Sequence, residues 1–469
     1  MRQPFAFVFR FSRGRSRAPL NAGTISMSDF SVTFHDLSAT KGFPSELLKR
    51  TESDLSVFLD RVKPIIERVK QEGDAALQHF ARELDGVTAP EMTIRATEEE
   101  FDEAFARIEP DVMDAIKYAI GNIRRFHEAQ KPEDSWMIEV QPGIWAGDRC
   151  LPIDSVACYV PRGKGSFPSV LNMTAIPGMV AGVPRLIVVT PPAHDGRVDA
   201  GTLVAARLIG VRDVYKCGGA QAVAAVAFGT ETVPACAKIV GPGSPYVVAA
   251  KRLLSDVLDP GVPAGPSEAI ILTDDSVDPV LAALDLIIES EHGPDSSAWL
   301  VTSSRRVAEG VRTALETHWA AMEAKRAGFS RSVLGGEHGG IILTADFDAA
   351  VAFTNAYAPE HLEILTADPM ADLGRIRNAG EVLLGHATPV TLGNYVLGPN
   401  AVLPTNRAAR THSPLSVHDF MKRMSFARVS DEAYREAAHH AERFARFEGF
   451  DGHARAVSSA RPMPKVAPR

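Results

Sequence analysis

Between residues 53 and 83 the apolar positions Leu55, Phe58, Leu59, Val62, Ile65, Ile66, Val69, Ala76, Leu77 and Phe80 recur at largely helical spacing, and Gly86 marks the stop. A second helical stretch over 98–128, rich in Glu, Ala, Ile and Arg, carries Pro110 near a break between two pieces. From about residue 150 the texture changes. Short apolar runs at 155–160, 185–190, 213–216 and 237–240 alternate with alanine-rich helical segments, and the alternation resumes after 265 with runs at 269–272, 298–301 and 340–343. Such alternation marks βα units feeding a parallel sheet. Residues 414–446 return to a charged helical pattern, and a Pro-rich tail follows at 461–469. The expected fold is therefore α/β. Two Rossmann-like parallel-sheet domains, 149–262 and 263–412, are flanked by a helical N-terminal region at 27–148 and a helical C-terminal extension at 413–469.

Length supports this multidomain reading, since 469 residues, 45% of them hydrophobic, can bury more than one core. Acidic residues outnumber basic ones 58 to 50, so no overall positive field is available for a nucleic-acid backbone. Cys150, Cys158, Cys217 and Cys236 form no C-x-x-C pair and read as reduced thiols. No apolar run is long enough to span a bilayer, and the expected setting is cytoplasmic or an organelle matrix. Before Asp29 the chain carries Arg2, Arg10, Arg13, Arg15 and Arg17 and no acid. Residues 1–26 read either as a transit segment or as a stretch preceding a translation start at Met27.

Several constellations carry candidate chemistry. Glu289 and His292, three residues apart at the end of a helix expected over 278–292, share one helical face and can approach one metal ion. By itself a pair at this spacing is more often a solvated helix end. Tyr357-Ala358-Pro359-Glu360-His361 sets a carboxylate beside an imidazole after a proline, a pattern expected at a helix start. Histidine titrates near neutral pH and glutamate can activate water. Glu448 and His453 lie on a Gly-rich, loop-like stretch. Gly-rich turns at 159–166, 218–221 and 241–245 suit close approach to a cofactor, although none is a G-x-G-x-x-G fingerprint.

Taken in order, GDAAL, YVPRG, GGAQA, KIVGPGSPYVVAAKR, AGPSEAIIL, ESEHGPDS, YAPEHLEIL and EGFDGH resemble the histidinol dehydrogenase family from about residue 50 to 457. The resemblance implies a zinc-containing homodimer that oxidises an amino alcohol, by default L-histidinol, to the amino acid L-histidine of histidine biosynthesis. It does so in two NAD-dependent steps through an aldehyde. It implies Glu289, His292 and Asn394 as Zn²⁺ ligands, with the partner subunit's His453 as the fourth. The family places glutamine, histidine, aspartate and histidine there, so the amide and the carboxylate have exchanged positions. One carboxylate and two imidazoles remain, and Zn²⁺ meets the same compensating charge.

The resemblance further implies Glu360 and His361 as the catalytic pair. Ser267, Glu289, His292, His361, Asn394, Glu448 and His453 are implied as substrate contacts, and Tyr159, Gln221 and Ser244 as cofactor contacts. Three further positions depart from the pattern. Ser244 replaces an asparagine, Arg162 replaces a glycine with Lys164 close behind, and Ala401 replaces a histidine. The two cations can face an anionic group on the cofactor or on a carboxylate- or sulfonate-bearing substrate, or stand as solvated loop charges. Two alternatives therefore accompany the default substrate. One is a paralogue for another small polar alcohol, such as a sulfonated diol, and the other is a catalytically silent ligand-binding protein.

Overall fold

The computed structural model describes residues 31–50, 55–162 and 165–462, so the N-terminal Arg-rich stretch, Lys164 and the end of the Pro-rich tail lie outside the described residues. The strands, in chain order, are β1 (Phe34–Asp36), β2 (Ser135–Gln141), β3 (Ile144–Pro152), β4 (Ser155–Tyr159), β5 (Arg185–Thr190), β6 (Val214–Lys216), β7 (Lys238–Val240), β8 (Glu268–Thr273), β9 (Ser297–Thr302), β10 (Gly339–Leu343), β11 (His361–Leu365), β12 (Glu381–Leu384) and β13 (Met421–Val429). Two parallel sheets result, ordered β6-β5-β4-β7 and β1-β10-β9-β8-β11-β12. Every residue of β8, β9, β10 and β11 is buried, as expected for parallel strands covered on both faces.

Alternation along each strand divides the core. In the first sheet, Val156, Cys158 and Val188 join one apolar cluster, while Ala157, Tyr159, Ile187 and Val189 join the other. The N-terminal helices cover this sheet's own helices. Leu55–Glu72 packs on Gly219–Phe228 and Pro245–Leu253, Glu98–Arg107 on Ala200–Ile209, and Pro110–Gln130 on Pro168–Ala181. Gly73, at φ 55°, splits the first helical stretch into Leu55–Glu72 and Asp74–Glu83. In the second sheet, period 2 along β11 directs Leu365 to the cluster containing Ala282 and Leu286 of the helix Pro279–Ser290, and Leu362 and Ile364 to the opposite one. His361 and Glu363 consequently share the face of Leu365.

Three sequence expectations are corrected. The N-terminal region is not purely helical, because β1 adds a parallel edge strand beside β10. Gly340 makes that approach possible, since a Cβ there would lie 2.2 Å from the Thr33 carbonyl oxygen. Residues 421–429 are a strand, not part of a charged helix, and β13 pairs antiparallel with β3 over its whole length, with β2 on the other side. Most β13 residues are exposed on both faces, so apolar periodicity carries no strand signal there. Finally, His361 opens a strand rather than a helix. Pro359 lacks the donor a preceding ladder needs, but the apolar alternation of 361–365 fits a buried strand between β8 and β12.

Among the described residues no helix is long and apolar enough to cross a membrane. All four cysteines are free and buried. Burial pushes the Cys236 thiol up to about 11, so it stays protonated at neutral pH.

Candidate active site

Both sheets show the strand order 3-2-1-4 of a doubly wound half, with switch points between β4 and β7 and between β8 and β11. The loops following β4 and β7 leave the carboxyl edge of the first sheet. The candidate catalytic residues instead gather at the amino edge of the second. Ser267 precedes β8, Glu360 precedes β11, His361 opens β11, and Glu289 sits in the last turn of the helix that returns from β8. A cavity of about 580 Å³ lies between these edges, lined by Arg162, Pro242 and Gly243 from the first and by Ser267, Glu289, His292, Glu360, His361 and Asn394 from the second.

Glu289 is the hub of this cluster. Its Oε2 meets His292 Nδ1 at 2.5 Å and its Oε1 accepts a hydrogen bond from Asn394 Nδ2 at 2.8 Å. Burial would raise the Glu289 carboxyl, but His292 and His361 outweigh it and hold the group at about 2. His292 is lowered by burial and raised by Glu289, with a net upward shift. The Glu289 carboxylate thus gathers an imidazole and an amide about it, and a carboxylate, an imidazole and an amide oxygen are donor types that suit Zn²⁺. Among the described residues no group of three or more His, Cys, Asp and Glu could hold a metal ion, so Asn394 is needed to complete even three donors.

Glu360 and His361 adjoin that hub. Glu360 Oε2 accepts the Glu268 backbone N–H at 2.9 Å, and burial pushes its carboxyl up to about 8. Burial disfavours the charged His361 ring, but Glu289, Glu381 and Glu360 more than offset this and lift it to about 9. Beneath them Glu268 is paired with Arg50 at 2.9 Å and accepts the Asn406 N–H at 2.7 Å, so its charge is matched away from the cavity.

Tyr159 at the end of β4, Gln221 in the helix Gly219–Phe228 and Ser244 just before the helix Pro245–Leu253 line a second cleft of about 520 Å³ that shares Arg162 with the first. Gly219 N–H donates to Tyr159 Oη at 3.1 Å, and burial raises the phenol. Arg162 donates to the Pro192 carbonyl at 3.2 Å, which turns its charge toward this cleft. The cleft also contains Asp85, which sequence reasoning missed. Its carboxylate accepts from Gln221 Nε2 at 3.4 Å and burial raises it to about 6.

Comparison with known proteins decides the family. Residues 48–461 match the histidinol dehydrogenase family. A Mesorhizobium japonicum protein named histidinol dehydrogenase homolog 2 is 62% identical over 436 residues, covering 93% of this chain and 99% of that protein. Synechocystis histidinol dehydrogenase is 45% identical, covering 88% of this chain and 95% of the relative. The crystal structure of histidinol dehydrogenase from Elizabethkingia anophelis superposes with a TM-score of 0.85 at 30% identity, covering 91% of this chain and 97% of that one. The chain belongs to the histidinol dehydrogenase family. It is an NAD-dependent oxidoreductase acting on an alcohol.

Of the positions carried over from the histidinol dehydrogenase pattern, the structure brings Ser267, Glu289, His292, Glu360, His361 and Asn394 to one cavity and Tyr159, Gln221 and Ser244 to the adjoining cleft. Glu448 and His453 line neither. Glu448 ends the helix Asp431–Phe447, and His453 is exposed on the short helix Asp451–Ala456 rather than on a loop. Ala401 lines the catalytic cavity, as does Arg326, which sequence reasoning did not single out.

Proposed function

We propose that this chain oxidises a small polar primary alcohol to the carboxylate through an aldehyde, with L-histidinol as the default substrate, in a zinc-dependent homodimer. The observation that carries this reading is the convergence of Glu360 and His361 with Glu289, His292 and Asn394 in one cavity that adjoins the cofactor cleft through Arg162. Glu289, His292 and Asn394 would hold Zn²⁺ with the partner subunit's His453. When bound, the metal supplies polarisation of the substrate oxygen, and NAD supplies the hydride acceptor. His361 takes the proton of the alcohol. Glu360, raised by burial and therefore basic when ionised, takes a proton from the water that adds to the aldehyde. Ser267 lies on the cavity wall where it can hydrogen-bond the substrate's polar end.

Support for a dimer comes from surface character. His453 does not line the cavity of its own chain. The neighbouring helix exposes Phe444 and Phe447, and the edge strand β2 exposes Trp136, Met137, Ile138 and Val140. Apolar surface on this scale is a mark of association.

A second reading, an alcohol bearing a carboxylate or sulfonate, is favoured by one observation. Arg162 and Arg326 both line the catalytic cavity, where Ala401 leaves the place of a histidine. Guanidinium forks match planar or tetrahedral oxyanions. The relatives' names point the same way, since the 62% identical protein is named a homolog and the 45% identical one carries the enzyme's name unqualified. Purified protein incubated with NAD and a panel of cationic and anionic alcohols separates the two. NADH from L-histidinol supports the default. No NADH from it, with turnover of a sulfonated diol, overturns the default in favour of the second reading.

A further inference from the structure

β11 and β12 run parallel with His361 and Glu381 as direct register partners, so both side chains leave the sheet side by side. His361 Nδ1 lies 3.1 Å from Glu381 Oε2, and both side chains are 4% exposed. The backbones are fixed to each other, since Glu381 N–H donates to the Glu360 carbonyl and Gly380 N–H to the Pro359 carbonyl, each at 2.9 Å. Over the carboxylate passes Gly393, whose Cβ, if present, would lie 2.9 Å from either Glu381 oxygen. The helix Val390–Tyr395 that carries Asn394 therefore closes on Glu381 only because residue 393 has no side chain.

This carboxylate is costly where it stands. Its Oε1 has no hydrogen-bond partner, and a buried carboxylate with one bond is destabilising unless its partner is charged or its task requires it. Glu381 lines neither the catalytic cavity nor the cofactor cleft, so it does not touch the substrate directly. What it does reach is Nδ1 of His361, whose ring lines the cavity.

We propose that Glu381 is the positioning residue of His361: its carboxylate holds the proton on Nδ1 and fixes the ring plane, leaving Nε2 as the nitrogen that takes the alcohol proton. The inference rests on the reading of His361 as the base. A neutral imidazole can carry its proton on either nitrogen, and only the form with Nε2 bare can accept from substrate there. A carboxylate on the far nitrogen selects that form and stabilises the imidazolium once the proton has arrived. Glu289, Glu360, Glu268 and His292 also act on His361 electrostatically. None of them is hydrogen-bonded to Nδ1, so they tune its charge without choosing its tautomer.

The test compares Glu381→Gln, which keeps shape and an acceptor, with Glu381→Leu, which keeps volume alone. Full-length enzyme labelled with ¹⁵N-histidine is titrated from pH 6 to 10, and His361 is assigned by the resonance lost in His361→Asn. The wild type and Glu381→Gln should show the neutral His361 protonated on Nδ1, and Glu381→Leu should show a mixture or the opposite tautomer. Turnover should fall roughly tenfold in Glu381→Gln and a hundredfold in Glu381→Leu, with KM for NAD unchanged within about twofold. The low-pH limb of kcat should move to lower pH in Glu381→Gln. A Glu381→Leu enzyme with the wild-type tautomer and an unmoved pH profile would overturn the proposal. If His361→Asn keeps full turnover, the base assignment fails, while the tautomer measurement still scores the pairing with Glu381.

Discussion

Asn394 Nδ2 donates to Glu289 Oε1 at 2.8 Å, so the amide and the carboxylate that have exchanged places relative to the family pattern are bonded to each other. An exchange between touching partners keeps the pair's charge and its hydrogen bond. It predicts strong coupling between the two positions. Glu289→Gln removes the only carboxylate of the hub and should weaken zinc binding by at least about tenfold. Asn394→Asp removes the Nδ2 donor to Glu289 and crowds two carboxylates, raising one of them, so it should also lose affinity as a proton competes with the ion. The double variant, which restores the family order, should recover most of the zinc measured by metal analysis after chelator competition. Strictly additive losses would show that the two residues do not share one ion.

Activity should rise with pH. His361 must be neutral to accept a proton and Glu360 must be ionised to activate water. Each is held protonated above its ordinary range, at about 9 and about 8 respectively. Both requirements are met only on the alkaline side, so kcat should climb above neutrality, reach half its plateau near the His361 value of about 9 and level off only above it, earlier if a bound dication lowers both groups. Glu360→Gln should leave alcohol oxidation to the aldehyde stage measurable. It should slow carboxylate formation by about 10² to 10⁴ and abolish the limb belonging to Glu360. Separate assays started from the alcohol and from the aldehyde check this, and equal losses in both would place Glu360 elsewhere in the reaction.

The two parallel sheets were legible because their strands are buried on both faces and read as continuous apolar runs, as at 269–272 and 298–301. The antiparallel unit was not, because β2 is exposed throughout and β13 nearly so, leaving no apolar period to detect. Family order located Glu289, His292, Glu360, His361 and Asn394, which one cavity now gathers. Glu381 and Asp85 escaped for a physical reason. Each acts through a partner distant in sequence, His361 at 20 residues and Gln221 at 136, and an isolated acid beside a short apolar run or a helix end resembles any surface carboxylate. The available signal was an acid opening the apolar run of β12, on the face that is buried.

Glu363 on β11 and Asp285 on the helix Pro279–Ser290 face each other in the core below the catalytic residues, and Asp285 Oδ2 and both Glu363 oxygens have no other partner. One shared proton is the donor that satisfies them. Burial, then the neighbouring carboxylate, raises Glu363, and burial raises Asp285. The folded chain therefore holds a proton that the unfolded chain releases above the ordinary carboxylate range. This contribution is complete below that range and is lost as pH rises toward the folded value. Glu363→Gln supplies a permanent donor, so its thermal midpoint should decline less between pH 6 and 9 than that of the wild type. Each kcal/mol retained is worth about 2–4 °C. Parallel pH dependences would show that the pair shares no proton.

Asp85 offers the last prediction, because it is an acid in a cleft whose other lining groups include the cation Arg162. A carboxylate at a nucleotide site accepts from a ribose hydroxyl and repels an additional phosphate. Asp85→Asn keeps the volume and the Gln221 contact but loses the charge. It should raise KM for NAD by about tenfold, the value of one charged hydrogen bond, with kcat changed little. It should also narrow the preference for NAD over NADP, since the repulsion disappears. The companion Arg162→Ala distinguishes the two places where that guanidinium can act. A rise confined to KM for NAD assigns it to the cofactor, as its bond to Pro192 favours, and a rise confined to KM for the alcohol assigns it to the substrate. An unchanged KM for NAD in both variants would remove Asp85 and Arg162 from cofactor binding.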